Sequence, residues 1–78
     1  MVHKVFSERL NQGLNEIGMP ERLDERVISF AKVFKIPRYK SNAILSGNQL
    51  PDQELLQVLA KELEVKPNWL LGKDRKKH

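Results

Sequence analysis

The stretch from Phe34 to Pro51, FKIPRYKSNAILSGNQLP, contains both boundaries of a short helix. Pro37 disfavours the αR conformation in the residue before it, and its own fixed φ suits the first position of a helix. Gly47 provides an end, because glycine adopts the left-handed conformation that closes helices at little cost. The stretch therefore predicts a helix from about Pro37 to Leu45, preceded by a tight turn.

The first turn of this helix carries two cations, Arg38 and Lys40. The amino end of a helix has the positive pole of the macrodipole and unpaired N–H donors, so cations there are unfavourable in the free protein. A phosphate or a base-edge acceptor in front of this end would supply the missing negative partner. The charge pattern therefore favours an anion outside the chain as the partner of this helix.

Apolar residues before this stretch recur with the spacing of two amphipathic helices. Gly18 and Pro20 separate the two helices. Asp24 is predicted as the N-cap of the second helix, since Leu23 before it and Ile28 after it have the spacing of a hydrophobic staple. The predicted inner positions are Phe6, Leu10, Leu14 and Ile17 in the first helix and Val27, Phe30, Ala31 and Phe34 in the second.

Residues 51–72 predict a fourth helix and a closing segment. Asp52 is the predicted N-cap of the fourth helix, and Pro67 begins one or two further turns that close over the core. No segment alternates with the period of a strand. The chain therefore predicts an all-α, compact bundle of four to five helices. The inner positions of the fourth helix are Leu56, Leu59, Ala60 and Leu63.

Length and composition are typical of one small globular domain: 78 residues, of which 40% are hydrophobic and 31% charged. No apolar run approaches the roughly 20 residues of a bilayer span, and Met1 begins no secretory signal, so we expect a soluble cytoplasmic protein. Within a single domain of residues 1–78, the folded core is expected over about 6–72, with the basic residues 73–78 as a flexible tail. The net charge of +4 suits a polyanionic partner without proving one.

Enzymes and metalloproteins lack their usual residue patterns here. The chain contains no Cys, and His3 and His78 stand at opposite ends without nearby ligands, so no metal site is expected. There is no G-x-S-x-G pattern and no phosphate-binding glycine loop, and the carboxylates are scattered among Lys and Arg at helix-surface spacings. We expect no enzymatic activity, no cofactor and no small-molecule substrate.

The second and third predicted helices, joined by a tight turn, match a helix-turn-helix, whose second helix enters the DNA major groove. The chain resembles the lambda-repressor-like helix-turn-helix regulators, which include the phage Cro and CI repressors. The resemblance covers roughly Phe6 to Gly72. It rests on Ala31 as the small residue of the first helix of the motif, and on PDQELLQVLAKELEVKPNWLLG from Pro51 to Gly72. The matching apolar positions are Phe30, Phe34, Ile36 and Ile44.

The resemblance implies a small transcriptional repressor, bacterial or phage-derived and nucleoid-associated, that binds double-stranded DNA as a homodimer. Arg38 can fork onto guanine, Asn42 can pair with adenine, and Ala43 can meet a thymine methyl group. The implied groove-facing residues are Arg38, Tyr39, Lys40, Asn42, Ala43 and Ser46, with Asn48 and Gln49 positioning the DNA backbone. Trp69, Leu70 and Leu71 are either core residues or, as in some relatives, a dimer interface.

The chain departs from the family pattern at three positions. Lys35 replaces the Gly common in the turn, where a positive φ costs about 1 kcal/mol for a residue with a side chain. Ser41 stands where a branched apolar residue usually faces inward. Val27 replaces the Gln that contacts phosphate at the start of the second helix, so that contact is either absent or made by Arg26.

The same residues also have non-functional interpretations. Arg38 and Lys40 can be solvated residues at a helix end, Tyr39 can cover the edge of the core, and Asn48 and Gln49 are common turn formers. Two other functions fit the same fold. One is a protein-interaction or antitoxin-like adaptor that binds through the surface from Trp69 to Leu71. The other is architectural, non-specific DNA binding.

Overall fold

The structure, a computed structural model, describes residues 2–78 as an all-α bundle of five helices. No strand occurs within this range, so the predicted fold class is confirmed. Met1, the first residue of the predicted domain, lies outside the described residues. The helices are α1 (Lys4–Glu16), α2 (Leu23–Phe34), α3 (Arg38–Leu45), α4 (Gln53–Leu63) and α5 (Pro67–Leu70).

Helix starts follow the sequence signals with small differences. Asp52 is the N-cap of α4 as predicted, and its carboxylate accepts the Leu55 N–H at 2.8 Å. Pro37 is the N-cap of α3 and not its first residue, with an extended backbone at φ −64° and ψ 153°. The prediction of Asp24 as an N-cap is wrong, because α2 already begins at Leu23 after the extended residue Arg22. Asp24 instead lies in the first turn, where its charge complements the helix dipole.

The core lies where α1, α2, α3 and α4 meet, with α5 closing one side. Gly13, an unfavourable residue inside a helix, permits this approach, because a Cβ there would lie 2.9 Å from the Leu63 Cδ1 of α4. Ile17, predicted as an inner residue of the first helix, is 52% exposed, since α1 ends at Glu16. The fully buried apolar side chains are Phe6, Leu10, Leu14, Phe30, Ile44, Leu45, Leu59 and Leu70.

The connection between α2 and α3 is a turn of three residues, Lys35 to Pro37. Lys35 has φ 56° and ψ 49°, the left-handed conformation expected for this position, and its N–H donates to the Ala31 carbonyl. Ser41 faces inward as expected, is fully buried, and donates its hydroxyl to the Val27 carbonyl at 2.8 Å. This bond stands where a branched residue would make an apolar contact, and it fixes α3 against α2 across the short turn.

The C-terminal residues 73–78, predicted as a flexible tail, make hydrogen bonds and an ion pair with the body of the protein, while their flexibility stays a prediction. The Lys77 carbonyl accepts the Lys66 N–H at 2.8 Å, and its ammonium lies 2.8 Å from the Glu16 carboxylate. Arg9 donates to the Asp74 carbonyl at 3.1 Å. Within this segment the Lys77 ammonium therefore has a carboxylate partner and the His78 ring has a carbonyl partner, which the run of charges in the sequence did not indicate.

Candidate nucleic-acid interface

The first turn of α3 presents its side chains outward. Arg38 and Tyr39 are exposed, the latter by 76%, and Lys40 is half-buried. Within residues 2–78, none of these three side chains makes a hydrogen bond or an ion pair. Their backbone N–H groups also have no carbonyl partner there, since the first α3 bond runs from the Ser41 N–H to the Pro37 carbonyl. This helix end therefore offers both cationic side chains and N–H donors to an external acceptor.

The rest of the predicted DNA-contacting set continues along the same helix. Asn42 is exposed, whereas Ala43 and Ser46 are half-buried. Their spacing from Arg38 and Tyr39 by three, four or eight residues places them on one side of α3, opposite the buried residues Ser41, Ile44 and Leu45. We call the surface formed by Arg38, Tyr39, Lys40, Asn42, Ala43 and Ser46 the α3 outer face. Lys40, one turn before the buried Ile44, lies at the edge of this face toward α4.

The loop after α3 is held by its own backbone. The N–H groups of Asn48 and Gln49 donate to the Ala43 carbonyl at 2.9 and 3.2 Å, and the Ser46 hydroxyl donates to the same carbonyl at 3.2 Å. The side chains of Asn48 and Gln49 are exposed. The backbone of Asn48 and Gln49 is thus held at the end of the α3 outer face, while their side-chain amides extend into solvent.

Arg26 does not belong to this surface, and the expectation that it contacts phosphate is wrong for this fold. Its side chain is 96% buried, with 4% exposure, in the space between the end of α1 and the start of α2. Its guanidinium donates to the Pro20 carbonyl at 2.7 Å, to the Asn11 amide oxygen at 3.0 Å, and also to the Asn15 amide oxygen. Because these acceptors occupy its donors, nothing remains for a phosphate.

The positive charge of the chain is concentrated around α3. Residues 26–51 contain five Lys or Arg and no Asp or Glu, so this segment carries +5 and the remainder of the chain, with nine cations and ten carboxylates, carries −1. Besides the exposed Arg38 and the half-buried Lys40, this segment has two exposed lysines, Lys32 in the last turn of α2 and Lys35 at its C-cap. These two lysines were not among the site residues predicted from the sequence. The absence of Asp and Glu from residues 26–51 could have indicated that they belong to the same basic surface.

Helices α2 and α4 have the opposite charge at their amino ends. Asp24 and Glu25 lie in the first turn of α2, and Asp52 and Glu54 lie at the start of α4. These carboxylates complement the dipoles of their own helices. Helix α3 has no acidic residue in its first turn. A phosphate would therefore meet repulsion at the starts of α2 and α4 and attraction at the start of α3.

The predicted dimer residues are divided by the structure. Trp69 and Leu70 are core residues, with 7% and 0% exposure. The interpretation of these two residues as an exposed dimer interface is therefore not supported. Arg9 covers one side of Trp69, with its guanidinium carbon 4.7 Å from the ring centroid. Leu71 is only half-buried and lines an open groove together with Val5 and Leu50.

Other kinds of site have little support in the part of the chain that the structure describes. Residues 2–78 contain no group of three or more His, Cys, Asp or Glu side chains placed to hold a metal ion. None of the five helices has the length and apolar composition needed to cross a bilayer.

Comparisons of the chain with models of known protein families, with curated proteins and with solved structures found no match. The resemblance to lambda-repressor-like regulators therefore stays a prediction based on the sequence pattern. What bears on function is the geometry of the α3 outer face.

Proposed function

We propose that this protein binds double-stranded DNA sequence-specifically, reads the major groove with α3, and acts as a small transcriptional repressor. One observation carries the proposal: the amino end of α3 is exposed, and its cations and N–H donors have no acceptor within residues 2–78. A polyanion placed there removes the unfavourable interaction between Arg38, Lys40 and the helix dipole. DNA supplies such a polyanion along both edges of the major groove.

The α3 outer face divides into side chains that suit base edges and side chains that suit phosphates. Arg38 is the candidate for guanine O6 and N7, and Asn42 for adenine N6 and N7, each with about 1–3 kcal/mol of discrimination against the wrong base. Ala43 is the candidate for a thymine methyl group. Tyr39, Lys40 and the loop amides of Asn48 and Gln49 suit phosphates, which set orientation and carry no sequence information.

A homodimer is part of the proposal because one eight-residue helix contacts few base pairs. Two copies of α3 reading half-sites about 34 Å apart would double the recognised sequence. The groove lined by Val5, Leu50 and Leu71 is the apolar surface next to the predicted dimer residues that stays open to solvent. The resemblance also implies a bacterial or phage-derived cytoplasmic protein that is associated with the nucleoid.

The test is a selection from random duplexes followed by binding measurements on the enriched sequence. Arg38→Ala should lower affinity for the selected duplex by roughly 1–3 kcal/mol and relax the preference at one base position. Arg75→Ala is the matched control, since Arg75 is an exposed cation outside the α3 outer face. Equal affinity of Arg38→Ala and the parent for the selected duplex would refute the assignment. A dimer should enrich two half-sites in each duplex.

The dependence of binding affinity on salt concentration distinguishes the proposed function from its main alternative, the protein-interaction adaptor. DNA binding through several phosphates weakens steeply as salt rises, whereas an apolar protein interface changes little. The adaptor was predicted to bind through Trp69 to Leu71, and burial of Trp69 and Leu70 leaves it only Leu71. Architectural DNA binding would instead produce no enriched sequence, with random duplex competing as well as any selected one.

A further inference from the structure

A shallow groove lies beside the amino end of α3, between the α2–α3 turn and the start of α4. Its floor includes the apolar side chains of Phe34 and Ile36. Lys40 lines it from α3, and Asp52 and Glu54 line it from α4. Two carboxylates therefore border the same surface depression as a cation of the α3 outer face.

Neither carboxylate is neutralised by the protein. Asp52 accepts the Leu55 N–H as a helix cap, and both Asp52 and Glu54 are exposed. Among the ion pairs of residues 2–78, none joins Lys40 to either carboxylate within 4.0 Å. Their charges therefore face the solvent into which a DNA backbone would be placed by α3.

We propose that Asp52 and Glu54 limit the affinity of the α3 outer face for DNA phosphates, an inference that rests on the proposed DNA-binding function. The affinity for random DNA comes almost entirely from phosphate contacts. Negative charge close to the phosphates therefore lowers this affinity directly. Residues 26–51 supply three exposed cations, the half-buried Lys40 and no carboxylate, which favours binding to any duplex. The two α4 carboxylates oppose that attraction at the edge of the groove.

The experiment compares the parent with Asp52→Asn, Glu54→Gln and the double variant on a random-sequence duplex. Asn retains the side-chain oxygen that caps α4, so Asp52→Asn removes charge with little change in helix capping. The matched control is a Glu21→Gln and Glu62→Gln double variant, which changes net charge equally at exposed positions outside the groove. Thermal unfolding of each variant confirms that it is folded at the temperature of the binding measurement.

We expect the Asp52→Asn and Glu54→Gln double variant to bind the random duplex about fivefold more tightly at low salt, as two carboxylates about 8 Å from a phosphate would imply. The gain should shrink as the ionic strength passes roughly 0.1 M, where screening acts over about 10 Å. The control double variant should gain less than half as much. Loss of the α4 carboxylates removes favourable dipole interactions, so a tighter-binding variant cannot owe its gain to greater stability.

The outcomes separate this inference from the function on which it rests. If the parent binds DNA and the groove and control variants gain equally, or the groove variants gain nothing, the role of Asp52 and Glu54 is refuted while the proposed function stands. If neither the parent nor any variant binds duplex DNA at low salt, both proposals are overturned together.

Discussion

Two arginines near the starts of neighbouring helices have opposite environments. Arg26 lies one turn into α2, is buried, and donates to carbonyl and amide oxygens from residues 11–20. Arg38 is the first residue of α3, is exposed, and has no acceptor within residues 2–78. Both residues are arginines within the first four residues of a helix. Their environments therefore differ because of what surrounds each helix start.

The difference depends on where free acceptors occur in the fold. Helix α1 ends at Glu16, so its last carbonyls and the following loop leave oxygens that need donors. Arg26 supplies those donors and brings a positive charge to the negative pole of the α1 dipole. The end of α2 lies three residues before α3, but its Ala31 carbonyl accepts the Lys35 and Ile36 N–H groups, and Arg38 has no acceptor within residues 2–78. An arginine whose donors are bonded within the protein has a structural role. An arginine at a helix start whose donors have no internal acceptor is available for a ligand.

The largest expected effect is a difference in stability between variants of the two arginines. Arg26→Ala should lower the free energy of unfolding by about 2–4 kcal/mol, because it leaves several oxygens without their donor and opens a cavity. Arg38→Ala should change stability by less than about 0.5 kcal/mol, since it removes an exposed side chain without partners. Urea denaturation followed by circular dichroism measures both.

Arg26→Lys is the useful intermediate in that series. Lysine retains the charge but lacks the planar set of five donors that reaches separate oxygens of Asn11, Asn15 and Pro20. Its stability should fall between those of the parent and Arg26→Ala. Equal urea midpoints for the parent and Arg26→Ala would mean that the buried guanidinium contributes nothing, and the distinction between the two arginines would lose its basis.

The fold was predictable because its signals are local. Apolar spacing located α1, α2 and α4, and single residues located the rest: Pro37 and Gly47 for α3, Pro67 for α5 and the cap at Asp52. The errors at Asp24 and Ile17 concern the exact ends of helices, whereas contacts between distant parts of the chain were missed altogether. Docking of residues 73–78 depends on Glu16 and Arg9, more than fifty residues away, and no local pattern indicates such pairing.

The candidate site was predictable only in part, for a related reason. Residues of one helix share a face by their spacing, so most of the α3 outer face followed from α3 alone. Arg26 could not be assigned that way, because its burial depends on oxygens supplied by α1 and the loop after it. Burial of Trp69 likewise depends on Arg9, a residue of α1, which lies over its ring.

A smaller effect on stability is expected at two positions that have the same strained backbone conformation. Lys35 after α2 and Glu64 after α4 both have φ 56°, the left-handed region that favours glycine. Replacing either residue by Gly should stabilise the protein by about 1 kcal/mol, or about 4–8 °C in melting temperature for a domain of this size. Differential scanning calorimetry measures both changes.

The two glycine variants should differ in DNA binding although they share the gain in stability. Lys35→Gly removes an exposed cation beside α3 and should weaken binding to random duplex, with a shallower dependence on salt. Glu64→Gly removes a carboxylate at the far end of α4 and should leave binding nearly unchanged. Lower stability in both variants would show that the left-handed residues are held by contacts stronger than their strain.

The C-terminal segment provides a third, intermediate environment for charged groups. Lys66, Lys77 and Arg9 have partners within the protein, as Arg26 does, but the ion pairs involved remain partly open to solvent. Exposed pairs contribute little to stability because water screens them. The docked segment should therefore contribute less to stability than the buried Arg26 cluster.

The smallest expected effect is a pH dependence at Asp74. The Lys76 N–H, which donates to the Asp74 carboxylate at 3.0 Å, and the nearby Lys66 ammonium lower the pKa of Asp74 below its usual 3.8. A depressed pKa means that the carboxylate stabilises the folded state above pH 3.8, and that this contribution is lost as the pH falls through the folded value. Melting temperatures of Asp74→Asn should therefore fall less than those of the parent on acidification.

Lys66→Met is the control and should keep most of the parent's pH dependence, because it retains the stronger Lys76 hydrogen bond. Identical pH profiles for Asp74→Asn and the parent would show that the segment contributes nothing through this carboxylate, leaving the contrast between Arg26 and Arg38 without an intermediate case.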